Sequence, residues 1–226
     1  MLAAIDLEGV LAPEIWPYLG EHFGIPELHL TTRDTADFDE LMSQRVDSMN
    51  RAGLTLAEVQ RVAYEVHPFL GAPEFLKRIR QHCQVMIIFD TFHEFATPMI
   101  ERLGGVNLFA NKFQTDTAGR IVGWELRIRG RKAMVIEGMK QAGFKVIGMG
   151  DSLNDLTLLQ SADYPILYRP VQTLRDHLPD AVVAHGLDEA LAAFMEIFRR
   201  NEQLNEVSRL QPVTIGCPGV KGRAPD

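Results

Sequence analysis

Cysteine is scarce. Cys83 and Cys217 are the only two in 226 residues, too few for a disulfide framework, so a reduced, cytoplasmic setting is the expectation. No apolar run approaches the ~20 residues that a membrane-spanning helix needs. Met1 leads through Leu2-Ala3-Ala4-Ile5 straight to Asp6, without the basic region of a signal peptide. Basic residues are outnumbered, 23 against 30, for a net charge of −7. They form no run beyond scattered pairs, so a nucleic-acid backbone or an anionic membrane surface finds little to bind. Internal repeats and low-complexity stretches are also missing, and the seven histidines show no metal-ligand spacing. These absences set aside nucleic-acid-binding, membrane and secreted disulfide-rich proteins. What is present is ordinary for a globular chain: 46% hydrophobic and 23% charged residues, enough to bury a core as one large domain or a domain with a small insertion.

Short apolar runs end abruptly in polar residues or glycine, as strands of a parallel sheet covered on both faces do. Leu2–Ile5 ends at Asp6, Gln84–Phe89 at Asp90-Thr91, and Lys145–Met149 at Gly150-Asp151. Tyr164–Leu167 and Ala181–Val183 are weaker runs of the same kind. Helical spacing lies between them: Phe75, Leu76, Ile79 and Cys83 after Gly71-Ala72-Pro73, Val135, Ile136 and Met139 before Gly143, and Leu187 to Phe198 near the end. This alternation predicts an α/β fold, an open parallel Rossmann-like sheet with helices on both faces.

Two segments interrupt the rhythm. Residues 14–70 carry no convincing strand and read as helices over Ile15–Phe23, Phe38–Arg51 and Leu56–Val66, a helical cap inserted after the first strand. Phe113–Leu126, with Asp116-Thr117-Ala118-Gly119-Arg120 at its middle, reads as a hairpin. The expected organisation is a core over 1–13 and 71–200, the cap over 14–70, and a disordered Pro- and Gly-rich tail over 201–226.

In open α/β sheets ligands sit beyond the carboxyl ends of the strands. Here those ends carry Asp6-Leu7-Glu8-Gly9-Val10-Leu11 and Gly150-Asp151-Ser152-Leu153-Asn154-Asp155. Strand alternation would put Asp6 and Glu8 on one side, and Gly9 would let the backbone turn or approach something closely. Acids and an amide in a short loop entering a helix suit a hard cation such as Mg²⁺. Either cluster alone reads more readily as a cap or a turn; at two strand ends flanking the sheet centre they point together to a site.

These two strings resemble the first and last motifs of the haloacid-dehalogenase-like phosphohydrolases. The chain is most similar to their phosphoserine phosphatases, and within these to the bifunctional phosphoserine phosphatase/homoserine phosphotransferase type. The finer likeness is carried by Asp6-Leu7-Glu8-Gly9-Val10-Leu11, Pro13-Glu14-Ile15-Trp16, Thr31-Thr32-Arg33-Asp34 and Asp90-Thr91-Phe92, and the resemblance covers about residues 1 to 200.

The resemblance implies a Mg²⁺-dependent phosphatase of O-phospho-L-serine that works through a phospho-aspartyl intermediate, with homoserine as a further acceptor. Asp6 would be the nucleophile, and Glu8 the general acid and base. Asp6, Glu8 (through its carbonyl), Asp151 and Asp155 would hold the metal. Lys132 would offset charge on the phosphoryl oxygens; outside the resemblance it reads as one of a solvated basic stretch with Arg127, Arg129 and Arg131. Glu14 and Arg45 would grip the ammonium and carboxylate of the substrate, an acid and a guanidinium fork suited to a zwitterion. Asn154 would contact phosphate or substrate, and Arg33 and Asp34 are lesser cap-loop candidates. One departure stands out: Phe89 occupies the position where relatives end the second motif with a serine or threonine, leaving Thr91 and the amides of Asp90 and Thr91 as substitutes. Losing such a donor costs about 10²–10³ in turnover, so a weakened, binding-only relative or a phosphatase of another small phosphorylated metabolite are the alternatives. A receiver-like signalling domain would lack both cap and Glu8. A homodimer is an open expectation.

Overall fold

The computed structural model describes residues 1–210 except 32, 33, 36 and 129, with the backbone alone over 205–210. Arg33, Cys217 and the expected tail beyond residue 210 therefore lie outside the described residues. Among the described residues seven strands form one sheet: β1 (Leu2–Ile5), β2 (Gln84–Phe92), β3 (Asn107–Thr115), β4 (Ile121–Glu125), β5 (Val146–Gly150), β6 (Tyr164–Tyr168) and β7 (Val182–Ala184). Their order is β4-β3-β2-β1-β5-β6-β7, and every pairing is parallel except the β3–β4 hairpin. The four residues of β1 are buried between β2 and β5. A strand with covered faces and two neighbours has no place for the alternating polar residue of an edge strand, so Leu2-Ala3-Ala4-Ile5 is apolar throughout. The strand order reverses at β1, the place in an open α/β sheet where ligands bind beyond the carboxyl ends.

Helices cover both faces. One apolar cluster gathers Ala3, Ile5, Ile87 and Phe89 with α4 (Ala72–Ile79), α5 (His93–Arg102) and α9 (Leu187–Leu210). The other gathers Leu2, Ala4, Met86 and Ile88 with α6 (Lys132–Gln141), α7 (Leu156–Ser161) and α8 (Gln172–His177). Odd and even positions of β1 and β2 divide between the two clusters, as the two-residue period of a strand requires. α9 continues through Leu210, ten residues beyond Arg200, so the start of the expected tail is helical: Pro and Gly, which gave the tail its character, begin only at Gln211-Pro212. Among the described residues no helix is long and apolar enough to cross a membrane.

Between β1 and α4 lie α1 (Ile15–Phe23), a 3-10 turn over Pro26–His29, α2 (Phe38–Arg51) and α3 (Leu56–Ala63). Asp37 caps α2 through Asp39 N and Glu40 N, and Thr55 and Glu58 form a reciprocal capping box on α3. α3 stops at Ala63, short of the expected Val66, because Tyr64 to Val66 close a turn on Val62 and Ala63 carbonyls. This helical insert is joined to the sheet at a stem, where Phe69 N donates to Leu11 O at 2.8 Å. At its far side the β3–β4 hairpin reaches it: Leu56 N bonds Gly119 O at 2.8 Å, Asn50 Nδ2 bonds Ile121 O at 2.9 Å, and Trp124 Nε1 bonds Asp39 Oδ1 at 3.3 Å.

Candidate active site

Beyond Ile5 the chain leaves the sheet at once. Asp6 N still bonds Met149 O at 2.9 Å, but Leu11 N and Ala12 N both fold back on Leu7 O, and Gly9 N bonds Ala12 O. After this closed turn the Asp6 and Glu8 carboxylates take different partners. Gly9 turns with φ +75°, and a Cβ there would overlap the carboxylate of Asp151. The close approach expected of this glycine is thus to the acid that follows β5.

Lys132 is the first residue of α6 and is only 2% exposed. Its ammonium meets Asp155 Oδ1 at 2.7 Å, Asp6 Oδ1 at 2.8 Å and Asp90 Oδ2 at 2.8 Å. The solvated reading of this lysine is therefore wrong: Ile128 and Ile136 on either side are buried and draw it under the sheet edge. Asp155 is fully buried at the end of a 3-10 turn over Leu153–Asp155, and its second oxygen accepts from Asp151 N at 3.0 Å and Ser152 N at 3.4 Å. One oxygen each from Asp6, Asp151 and Asp155 lies within 4.8 Å of the others.

Four carboxylates, Asp6, Asp90, Asp151 and Asp155, thus gather around one ammonium, which pairs with three of them. Burial, then the charge of Asp155, holds the Asp6 carboxyl well above the usual range despite Lys132. Burial also raises Asp90, and burial with Asp155 and Glu14 raises Asp151 to about 7. Burial pulls Lys132 down, but the three acids outweigh it and hold the ammonium charged. The group carries surplus negative charge on hard oxygen donors, the donor set that Mg²⁺ takes. Asp6, Asp151 and Asp155 therefore fit a divalent cation on chemistry and on spacing.

The carboxylate of Glu8 stands apart from that trio. Its Oε1 accepts from Ile15 N at 2.7 Å at the start of α1, and its Oε2 from Thr91 Oγ1 at 3.4 Å. Burial pushes it up to about 8, with the Ile15 amide working the other way. The side chain is thus held at the start of α1, leaving the Glu8 carbonyl as the group expected at the metal.

Arg45 of α2 is 6% exposed, not a surface arginine. Its guanidinium lies 4.2 Å over the Trp16 ring, with Nη2 on Leu30 O, while Nε has no protein partner. Trp16 in turn packs edge-on against Phe92, Phe95 and Phe113. Burial lowers Arg45 to about 10, and Glu8 and Glu14 oppose that shift. Glu14 is exposed at the N-cap of α1, and its charge reaches Glu8 and Asp151.

The remaining candidates are less gathered. Asn154 is exposed on the 3-10 turn. Asp34 closes a local turn on Thr31 N and Thr31 Oγ1. His93 is exposed at the start of α5. Phe89 is buried in the core beside Ile87, so no hydroxyl replaces it there. Two features escaped sequence reasoning. The Asp90 side chain, valued only for its amide, is the third acid on Lys132. Asn111, fully buried in β3, bonds Asp90 O, Arg127 N and Ile128 N; a lone polar residue in a run of Leu108-Phe109-Ala110 was its only signal.

No protein-family profile matches the chain. It is 38% identical over 199 residues to a phosphoserine phosphatase of Pseudomonas syringae pv. tomato, covering 88% of this chain and 84% of that one. It is 36% identical over 203 residues to phosphoserine phosphatase ThrH of Pseudomonas aeruginosa, covering 90% and 99%. Among solved structures, a phosphoserine phosphatase in apo form superposes with a TM-score of 0.70 at 20% identity, over 84% of this chain and 97% of that one. A phospho-aspartyl intermediate analogue of phosphoserine phosphatase gives 0.66 at 20%, over 80% and 91%. These structures speak for the fold, and the two sequence relatives for the family. With acids converging at the tips of β1 and β5 on a buried lysine, the chain belongs to the phosphoserine phosphatase family of haloacid-dehalogenase-like phosphohydrolases.

Proposed function

We propose that this chain hydrolyses O-phospho-L-serine in a Mg²⁺-dependent reaction through a phosphoryl group carried on Asp6, and that homoserine serves as a second acceptor. The observation that carries the reading is the convergence of Asp6, Asp151 and Asp155 on one point beside the Lys132 ammonium.

A carboxylate oxygen of Asp6 attacks phosphorus, and the bond from phosphorus to the seryl oxygen breaks. The departing oxygen takes its proton from Glu8, whose raised pKa of about 8 keeps it protonated at neutral pH. Water, or the hydroxyl of homoserine, then loses a proton to Glu8 and attacks phosphorus, releasing the Asp6 carboxylate. Lys132, held by three carboxylates, offsets negative charge on the phosphoryl oxygens throughout. Mg²⁺, held by Asp6, Asp151 and Asp155, would screen the repulsion between a carboxylate and a phosphate dianion. Arg45, with its unpartnered Nε, receives the substrate carboxylate, and Glu14 the ammonium. The insert over residues 14–70 acts as the cap that carries both.

Phosphate release from O-phospho-L-serine, before and after chelation and with Mg²⁺ restored, tests the reading. Metal-dependent release that Asp6→Asn abolishes is expected. Full activity in that variant would overturn the mechanism, and no release at high enzyme would turn the reading to another small phosphorylated metabolite. Phosphorus NMR with homoserine added decides the second acceptor by the appearance of phosphohomoserine.

A further inference from the structure

We infer that Asn111 is a positioning residue that sets the place of Lys132 by clamping two separate chain segments with one buried amide. The inference rests on the reading of Lys132 given under Proposed function.

The register of β2 against β3 slips within the site. Ile88 pairs with Phe109 and Phe92 with Asn111, so Phe89, Asp90 and Thr91 of β2 face only Ala110 of β3. A bulge of this kind re-aims side chains and leaves backbone groups without ladder partners. Here it delivers the Asp90 carboxylate to Lys132 and Thr91 Oγ1 to Glu8. The Asp90 carbonyl is met by Asn111 Nδ2 at 2.5 Å. On its other side Asn111 Oδ1 accepts from Arg127 N at 2.9 Å and Ile128 N at 3.0 Å.

Arg127 and Ile128 begin the short turn into α6, in which Arg131 N bonds Ile128 O at 2.8 Å and Lys132 follows. Asn111 therefore ties the bulge that carries Asp90 to the turn that carries Lys132, the two ends of one ion pair. The side chain is fully buried. An apolar replacement leaves one carbonyl and two N–H groups without these partners, the Ile128 N–H in a buried place, whereas aspartate keeps the two acceptor bonds and loses the donor. Partners of this indirect kind, when removed, cost about 10- to 100-fold in activity.

Two variants of the full chain, Asn111→Ala and Asn111→Asp, test this with two readouts. In Asn111→Ala, kcat on O-phospho-L-serine is expected to fall about 10- to 100-fold while KM stays within about twofold, with Asn111→Asp between it and the wild type. Acetylation of lysines by N-hydroxysuccinimidyl acetate, followed by mass spectrometry, is expected to be slow at Lys132 in the wild type. It should accelerate there in Asn111→Ala, leaving Lys112 and Lys145 unchanged. Wild-type kcat and Lys132 labelling in both folded variants would overturn the inference, as would equal acceleration at every lysine. If Asn111→Ala does not fold, Asn111→Asp decides alone: unchanged kcat and labelling overturn it. A wild type that releases no phosphate from O-phospho-L-serine would defeat the functional reading, while the labelling still judges Asn111.

Discussion

Gly9 and Asp151 touch so closely that the glycine has no room for a side chain. Its left-handed φ of +75° and the overlap that a Cβ would make with the Asp151 carboxylate act together. Gly9→Ala would strain the backbone by about 1–2 kcal/mol and push Asp151 away from Asp6 and Asp155. We expect a folded protein whose phosphate release needs more Mg²⁺, read as a right-shifted metal titration. An unshifted titration would contradict the packing.

Lys132 pairs with three acids in a place water barely reaches. Lys132→Met should lower unfolding free energy by about 3–5 kcal/mol, the usual loss when buried charges lose their counterion. Adding Asp155→Asn should recover part of that loss, since the two residues share one interaction. Urea denaturation of the single and double variants at pH 7 measures both, and a wild-type midpoint in Lys132→Met would rule out the buried ion pairs.

Thr91 Oγ1 lies 3.4 Å from Glu8 Oε2, where it can orient that carboxyl. Thr91→Val deletes the 3.4 Å bond to Glu8 Oε2 and should reduce turnover about tenfold, the low end for a residue that orients another. Glu8→Gln should lose far more, and Thr91→Val made in that background should add little further. Turnover in Thr91→Val equal to wild type would remove Thr91 from the machinery.

Asp163 offers a pH test away from the site. Burial raises its carboxyl, but Val146 N at 2.9 Å with Lys140 and Lys145 nearby outweighs this and leaves it lowered. A lowered folded pKa adds stability that is present above the unfolded value and is lost as pH falls through the folded one. Asp163→Asn should therefore cost about 1 kcal/mol at pH 7, with the gap to wild type closing as the pH drops below ~3.9. Melting curves across that range check it, and a gap that widens in acid would reverse the sign.

The parallel sheet was legible because its central strands are buried on both faces and so appear as unbroken apolar runs ending in acids. The hairpin was legible from Asp116-Thr117-Ala118-Gly119-Arg120 at its turn, but β3 begins at Asn107, earlier than read, because two polar residues break its run. α7 and α8, six residues each, are too short to show a helical period, and α5 starts directly at the end of β2 with no intervening turn signal. At the site, Asp6, Asp151, Asp155 and Lys132 could be named from their motifs. The Asp90–Lys132 pair, the Asn111 amide and the Glu8–Ile15 bond could not, since each follows from a bulge or a tight turn that departs from regular strand geometry.

The helical insert is bonded at its stem through Leu11 and Phe69 and again, on the opposite flank, through the tip of the β3–β4 hairpin. A roof buttoned along two edges cannot swing like a door. For the insert to lift from the sheet, the bonds of Leu56 and Asn50 to the hairpin would have to break as well as the stem bend.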